Sequence, residues 1–280
     1  MNTQESYSQN ALEIYRRMYY VRNFELGVVS AHKKGLISIP IYLGIGQESI
    51  ASTLSCFLPK GIPIFAQHRA HSYFLAFGGN PNYLKSELLS NSDFGTKGAR
   101  GSASISSTEI NMFGHSGLMG DQVPIAVGYG LTTGLPTLSV VGDASVEEDY
   151  VMSSIGYAVK RSIPLLLICE DNNLSILTEK SVRRNWETSE VAKAYGAKSF
   201  DIDDTPASIW KTLEKWNMKE VFVVNVRTTR HYWHAGSGQD QAPQIDRLSE
   251  MRESLELQGL KDQVVAIESR IKQEIETLWN

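Results

Sequence analysis

TLSVVGDASVEEDYVMSSIGYAVKRSIPLLLICEDNN, residues 137–173, decides how the chain is read. TLSVV (137–141) and PLLLIC (164–169) are near-continuous apolar runs of strand length. The first ends in Gly142-Asp143 and the second in Glu170-Asp171-Asn172-Asn173. Between them, 147–160 has the length and spacing of a helix. Strand, helix and strand in this order predict two parallel strands joined by a crossover. Runs that are apolar throughout, rather than alternating, predict strands buried on both faces.

The alternation continues outward. Residues 189–195 read as a helix and 198–202 as a short strand. Asp204-Thr205-Pro206 opens a helix reaching to about residue 217, and VFVVNV (221–226) is a further strand ending near Arg230. On the other side, 122–131 is helical. The stretch 122–142 carries no charge, but Pro124, Gly128, Gly130, Gly134 and Pro136 divide it into helix, turn and strand. That is not a membrane span of ~20 apolar residues. Ala11, Ile14, Met18, Val21 and Val28 recur at helical spacing and predict a helix over 11–29. A turn at Lys34-Gly35 follows, then a short helix over 49–57 and a short strand over 63–67. Asn80 caps a helix that begins with Pro81. The glycine-rich stretch 95–120 predicts a long loop, and such loops in compact domains are often functional. From Arg247 the chain is charge-rich and helical. The expected fold class is α/β, a parallel sheet flanked by helices. It forms one domain over 1–280, with an N-terminal helical segment and a C-terminal helical tail.

Composition narrows the function. The chain has 280 residues, 27 Lys plus Arg, 31 Asp plus Glu and a formal net charge of −4; 42% of residues are apolar and 21% charged. These values fit a soluble globular domain and exclude a disordered or fibrous chain. Without a basic excess, no nucleic-acid partner is expected. Cys56 and Cys169 are too few for a disulfide framework. Both stand among apolar neighbours, as reduced thiols in a cytoplasmic protein would. MNTQESYSQN at the start has no apolar stretch of the secretory kind. Neither GxxxxGK[ST] nor GxGxxG follows the first strand, so the common nucleotide motifs are missing.

In open parallel sheets, ligands bind beyond the carboxyl ends of the strands. Gly142-Asp143, Glu170-Asp171-Asn172-Asn173 and Arg230-His231-Tyr232-Trp233-His234 all stand at such ends. Asp and Asn supply hard oxygen ligands suited to magnesium, which shares phosphate oxygens. Arginine binds phosphate in two-pronged fashion. Gly142 lets the backbone approach a ligand. Each cluster alone would read as a turn or loop. Their order at neighbouring strand ends is what points to a cation and a phosphate.

The pair GDA…NN, with Asn172 following Asp143 by 29 residues, resembles the thiamine-diphosphate motif GDG…NN. Five further stretches follow the order of one family. IYLGIGQES resembles its GQEA stretch, FAQHRAHSYFLAFG its YRxHG, and KGARGSASI its GKGGSMH. FGHSGLMGDQVPIAVG resembles its GIVGAQVPLAxG, and TTRHYWHAG its YRxxxH. Over most of its length the chain therefore resembles the alpha subunit of the decarboxylating component of 2-oxo acid dehydrogenases of the pyruvate, branched-chain and acetoin type. The resemblance implies the diphosphate-domain fold of thiamine-diphosphate enzymes. It also implies an alpha-type subunit that uses thiamine diphosphate and Mg2+ in decarboxylating a 2-oxo acid. The metal ligands would be Asp143, Asn172 and the backbone carbonyl of Leu174. Arg69 and Arg230 would contact the diphosphate beside Gly142 and Ala144. Gly117 and Met119 would hold the aminopyrimidine through their backbone. His234, four residues after Arg230, matches the family's active-site histidine, with His71 as a second catalytic candidate and Ser116 as a weaker one. His115 and His231 are expected to be structural or exposed. Trp186, Tyr232 and Trp233 would line the mouth of the pocket or pack in the core.

Several positions depart from the pattern. Ala144 replaces glycine, which requires an ordinary φ there. His68 and Ser72 stand where the family has Tyr and Gly, and the C-terminal part is short. In the family, the glutamate that promotes the cofactor's reactive form, and the pyrimidine-binding domain, belong to the beta chain. Glu48, in GQES, does not match that acid. The implied partner is a beta-like subunit in an α2β2 assembly. The implied substrate is a small 2-oxo acid, with acceptance of the product by a lipoyl carrier protein left open. Two alternatives stand beside this reading. One is a split transketolase-like or carboligating enzyme acting on a sugar or aldehyde acceptor. The other is a non-catalytic scaffold that keeps the fold.

Overall fold

The computed structural model describes residues 3–90, 96–235 and 245–280. The chain begins with α1 (Thr3–Lys33), α2 (Glu48–Phe57), β1 (Ile64–Phe65), α3 (His71–Ala76), α4 (Pro81–Leu88) and β2 (Met112–Phe113). The deciding stretch follows: α5 (Gln122–Thr133), β3 (Thr137–Gly142), a 3-10 turn (Ser145–Glu147), α6 (Asp149–Lys160) and β4 (Leu165–Asp171). A small hairpin, β5 (Leu174–Ser175) and β6 (Thr178–Glu179), leads through α7 (Lys180–Arg183) and α8 (Thr188–Ala194) to β7 (Lys198–Asp203). After α9 (Pro206–Leu213) and β8 (Phe222–Arg227) the chain ends in α10 (Arg247–Leu257) and α11 (Lys261–Trp279).

Six strands form one parallel sheet in the order β2-β1-β3-β4-β8-β7. From β1 the chain steps to β2 on one side; from β3 it steps to β4 on the other. The strand order therefore reverses between β1 and β3, the place where such sheets bind ligands. Strand side chains alternate between two helical layers. Leu138, Val140, Leu166, Ile168, Phe222 and Val224 face α1, α2, α3 and α9. Val141, Leu165, Leu167, Cys169 and Val223 face α5, α6 and α8. A third cluster ties Ala11, Ile14, Tyr15 and Met18 of α1 to Leu248, Met251, Leu255 and Val264 of the tail helices.

Local signals act where they were read. The Asn80 side chain accepts from the Asn82 backbone at the start of α4, and Thr205 caps α9 from Ser208 N. The uncharged stretch is helix, turn and strand, with Gly134 at φ 68° closing α5. No helix among the described residues is long and apolar enough to cross a membrane. Other elements differ from expectation. The strand over 63–67 is only two residues long, because Gln67, His68 and Arg69 leave the sheet to line a cavity. The helix over 147–160 starts at Asp149, after the 3-10 turn, and α9 ends at Leu213. The glycine-rich stretch contains β2, whose register is Ile64 with Met112. α3, α7 and the β5–β6 hairpin carry too few residues to leave a periodic signal. Cys169 is buried, whereas Cys56 is half-buried; both are free thiols.

Candidate functional site

The carboxyl ends of β1, β3 and β4 open on to a cavity of about 390 Å3. The turn after β1 contributes Gln67, His68 and Arg69; the turn after β3 contributes Asp143, Ala144 and Ser145. Glu170 and Asn172 come from the end of β4, Leu174 and Ile176 from the hairpin, Arg183 from α7 and Met119 from the loop before α5. Arg230 and His234 close it from the segment after β8. Nine of the sequence candidates thus meet in one place: Arg69, Met119, Gly142, Asp143, Ala144, Asn172, Leu174, Arg230 and His234.

Backbone geometry explains the motif. Asn172 Oδ1 accepts from Leu174 N (3.1 Å) and Asp171 Oδ1 from Asn173 N (3.1 Å), so two Asx turns bend the chain out of β4. Asn173 is left-handed at φ 65°, and so is Ile176 at φ 54° in the hairpin turn. For a β-branched residue that is strained. Arg230 Nη2 donates to the Ile176 carbonyl (2.8 Å) and helps hold the turn. Ala144 has φ −81° and ψ −39°, an ordinary right-handed conformation, so a methyl group is tolerated where the family has glycine. Gly142 serves close packing: a Cβ there would stand 3.1 Å from Gln67 Oε1.

The site buries charge. Asp143 is 1% exposed; burial and the nearby Asp171 push its carboxyl up to about 6, against Arg183 and Arg184. Arg183 Nη2 lies 2.5 Å from Asp143 Oδ2, and Arg184 Nη1 donates to the Asp143 backbone carbonyl (2.9 Å). Glu170 accepts from Tyr73 OH (2.7 Å) and Gln67 Nε2 (2.8 Å), yet burial raises it to about 7. Arg69 Nη1 donates to the Leu43 carbonyl (2.5 Å), and its Nη2 stands 3.4 Å from His234 Nδ1. The His234 ring packs edge-on against Tyr42 and lies 5.4 Å from the His68 ring. Burial, followed by Arg69 and His234, lowers His68 to about 2, so this ring is neutral.

Three candidates lie elsewhere. His71 is fully buried away from the cavity, between Glu25 Oε1 (3.1 Å from Nδ1) and Ser102 Oγ (2.8 Å from Nε2). Glu25 also accepts from Gly44 N and Ser102 Oγ from Tyr42 N, so His71 links two groups that hold segment 42–44. The structure thus places His71 outside the cavity, against the catalytic expectation: Glu25 on α1 and Ser102 in the loop after α4 hold its ring in the core. Gly117, at φ 100°, does not line the cavity; its N–H donates to His115 Nδ1 (2.9 Å). Ser116 is exposed and bonds Asp121. His115 and His231 are buried, the latter with Nε2 3.1 Å from the Ile245 carbonyl. Trp233 is 46% exposed and is not among the residues lining the cavity. Trp186 stacks on the Arg184 guanidinium, whereas Tyr232 packs against the first core cluster. Sequence reading missed Gln67, Glu170 and Arg183. Glu170 stands inside the quoted cluster, but a buried acid beside a ligand pair has no periodic signature. Arg183 reaches Asp143 only through the fold.

The donors fit a magnesium diphosphate. Asp143 offers a carboxylate, Asn172 an amide oxygen with a second lone pair, and Leu174 a backbone carbonyl, all hard oxygens on one rim. Gln67 Oε1 is buried without a partner and faces the same space. Arg69 and Arg230 supply guanidinium groups for phosphate oxygens. Among the described residues, no group of three or more His, Cys, Asp or Glu side chains could hold a metal, so the carboxylate here would be joined by amide and carbonyl oxygens.

Residues 15–278 match the dehydrogenase E1 component family. The pyruvate dehydrogenase E1 component subunit alpha of Zymomonas mobilis is 27% identical over 92% of this chain and 77% of its own length. Subunit alpha-1 of the mitochondrial enzyme of Arabidopsis thaliana is 27% identical over 62% of this chain, which spans only 46% of that protein. The crystal structure of transketolase from Campylobacter jejuni aligns with a TM-score of 0.60 over 96% of this chain and 48% of its own. At 16% identity that likeness is one of fold.

Proposed function

The chain belongs to the dehydrogenase E1 component family, and from that membership we propose that it is the alpha-type subunit of a thiamine-diphosphate-dependent 2-oxo acid dehydrogenase. In this reading it holds the cofactor's diphosphate with a magnesium ion, and a beta-like subunit completes the active site. The convergence of Asp143, Asn172, Leu174, Arg69 and Arg230 on one cavity at the sheet's switch point carries the reading. When bound, the cofactor supplies the electron sink that decarboxylation requires. Asp143, Asn172 and the Leu174 carbonyl hold the metal. Arg69 and Arg230, both nearly buried, fix the diphosphate by charge-assisted bonds in a water-poor setting. Met119 lines the cavity, its carbonyl accepting from Tyr150 OH, and would orient the ring end of the cofactor.

His234 is the residue of this chain assigned to proton transfer. Its ring reaches the cavity next to Arg69, and an imidazole placed there could pass a proton between reacting groups. His71 is assigned a positioning role through Glu25 and Ser102. The acid that acts on the aminopyrimidine, and the pyrimidine-binding domain, come from the beta-like subunit in an α2β2 assembly. The free thiols Cys56 and Cys169 support a cytoplasmic setting. The match over residues 15–278 favours the dehydrogenase branch over a carboligating enzyme.

The test is calorimetric titration of thiamine diphosphate with Mg2+ into the wild type and Asp143→Ala. The variant should lose metal-dependent binding while keeping its far-UV spectrum. Equal affinity in the variant would refute the metal assignment.

A further inference from the structure

Two carboxylates end adjacent strands beneath the hairpin: Asp143 after β3 and Asp171 at the end of β4. They are 1% and 4% exposed. One turn of helix neutralises both. α7 brings Lys180 Nζ to 2.7 Å from Asp171 Oδ2 and Arg183 Nη2 to 2.5 Å from Asp143 Oδ2. Residues three apart share a helix face, so a single turn delivers the two cations together. α7 itself buries no residue, and Val182 is 77% exposed. Ion pairs, rather than apolar packing, hold this turn in place.

A guanidinium on Asp143 Oδ2 and a divalent cation on the same carboxylate repel each other at short range, so Arg183 opposes metal binding while it stays there. Arg183 has an alternative partner. Its Nη1 also bonds Glu147 Oε1, on a side chain that is 25% exposed where that of Asp143 is 2% exposed. Its Nε–H is buried with no acceptor, so the guanidinium is incompletely satisfied where it stands. Lys180, on Asp171 and Glu187, anchors the start of the turn through ion pairs that do not involve Arg183.

We propose that Arg183 is a built-in counter-cation of the metal site. It neutralises Asp143 while no metal is bound, gives way to an incoming divalent cation by pivoting on to Glu147, and so sets the metal affinity of the site. The inference rests on Asp143 being a metal ligand, as proposed above.

The test uses Mn2+ as the probe, followed by electron paramagnetic resonance with the full chain and thiamine diphosphate. Arg183→Gln should bind Mn2+ at least tenfold more tightly than the wild type. Its metal-free form should melt earlier, and saturating Mn2+ should restore the melting temperature. Glu147→Gln should shift affinity the other way, several-fold weaker, because Arg183 then has no carboxylate to move to. A merely structural arginine would weaken Mn2+ binding in both variants. Unchanged or weaker Mn2+ binding in Arg183→Gln, with a wild type that binds, overturns the counter-cation and leaves the metal assignment standing. If Arg183→Gln does not fold, Arg183→Met, which keeps the stem without the charge, takes its place with the same tightening expected: unchanged or weaker Mn2+ binding there overturns the proposal. Absence of Mn2+ and thiamine diphosphate binding in every protein, including Asp143→Asn, instead overturns the functional reading, and the inference with it.

Discussion

His68 is 9% exposed, and neither ring nitrogen has a partner. Its ring is wedged between Tyr42, His115 and His234. The folded state therefore refuses a proton that the unfolded chain accepts at the ordinary value of 6.5, down to a folded value of about 2. Below pH 6.5 the unfolded chain binds more protons, so stability is complete above that pH and is lost as pH falls. This residue alone should tilt the stability curve by up to about 1.4 kcal/mol per pH unit. His68→Phe, which keeps a ring against Tyr42, should remove that slope between about pH 5 and 7 in urea titrations. An unchanged slope would mean that the ring is protonated in the fold. The cost of an unpartnered imidazole is borne at the cavity, where strain and imperfect satisfaction concentrate in functional sites.

Among the elements, the central strands are secured by apolar side chains on both faces, whereas the tail helices dock along one side of α1. Gly27 of α1 lies under the Trp279 indole of α11; a Cβ there would come 2.1 Å from Trp279 Nε1. The same indole packs 5.4 Å from the Phe24 ring, with Lys85 Nζ 5.7 Å from its centroid. Gly27→Val should destabilise the protein by about 1–3 kcal/mol through overpacking. The Gly27→Val/Trp279→Ala pair should be less unstable than the sum of its single variants, because removing the indole makes room. Additive losses in denaturant titrations would show that α11 docks without this contact.

At the scale of the molecule, the six-stranded sheet gathers the candidate site residues at its carboxyl end, and the proposed chemistry needs a second chain. The isolated chain should release no CO2 from any 2-oxo acid, and turnover should appear when a beta-like subunit is added. Turnover by the chain alone would show that its site is complete. In the assembled enzyme, His234→Ala should leave cofactor affinity unchanged and lower turnover roughly 10²–10⁴-fold, the usual contribution of a positioned proton carrier. Unchanged rates would make His234 a packing residue beside Tyr42 and Arg69.

The central βαβ unit was legible in residues 137–173, because strands buried on both faces must be apolar throughout and the helix between them carries its own period. The strand-end residues Asp143, Asn172, Arg230 and His234 were legible as well, since chain order alone puts them at carboxyl ends and a motif resemblance names them. The requirement for an ordinary φ at Ala144 was likewise readable from its side chain, and the backbone meets it. Gly117, and His71 as a second candidate, stood in the same motif stretches but turn elsewhere. His71 follows Arg69 by two residues, yet Glu25 and Ser102, both distant in sequence, draw its ring into the core. Arg183 on Asp143, Tyr42 against His234 and the neutral state of His68 depend on long-range approach and burial, which no local pattern encodes. The sequence by itself determined the layers and the strand ends, which follow from periodicity and order, and named the candidate ligand residues through a motif resemblance. Only the tertiary structure decided which side chains share the cavity, which charges they carry and which cation holds Asp143, because those depend on distances that close only when the sheet is assembled.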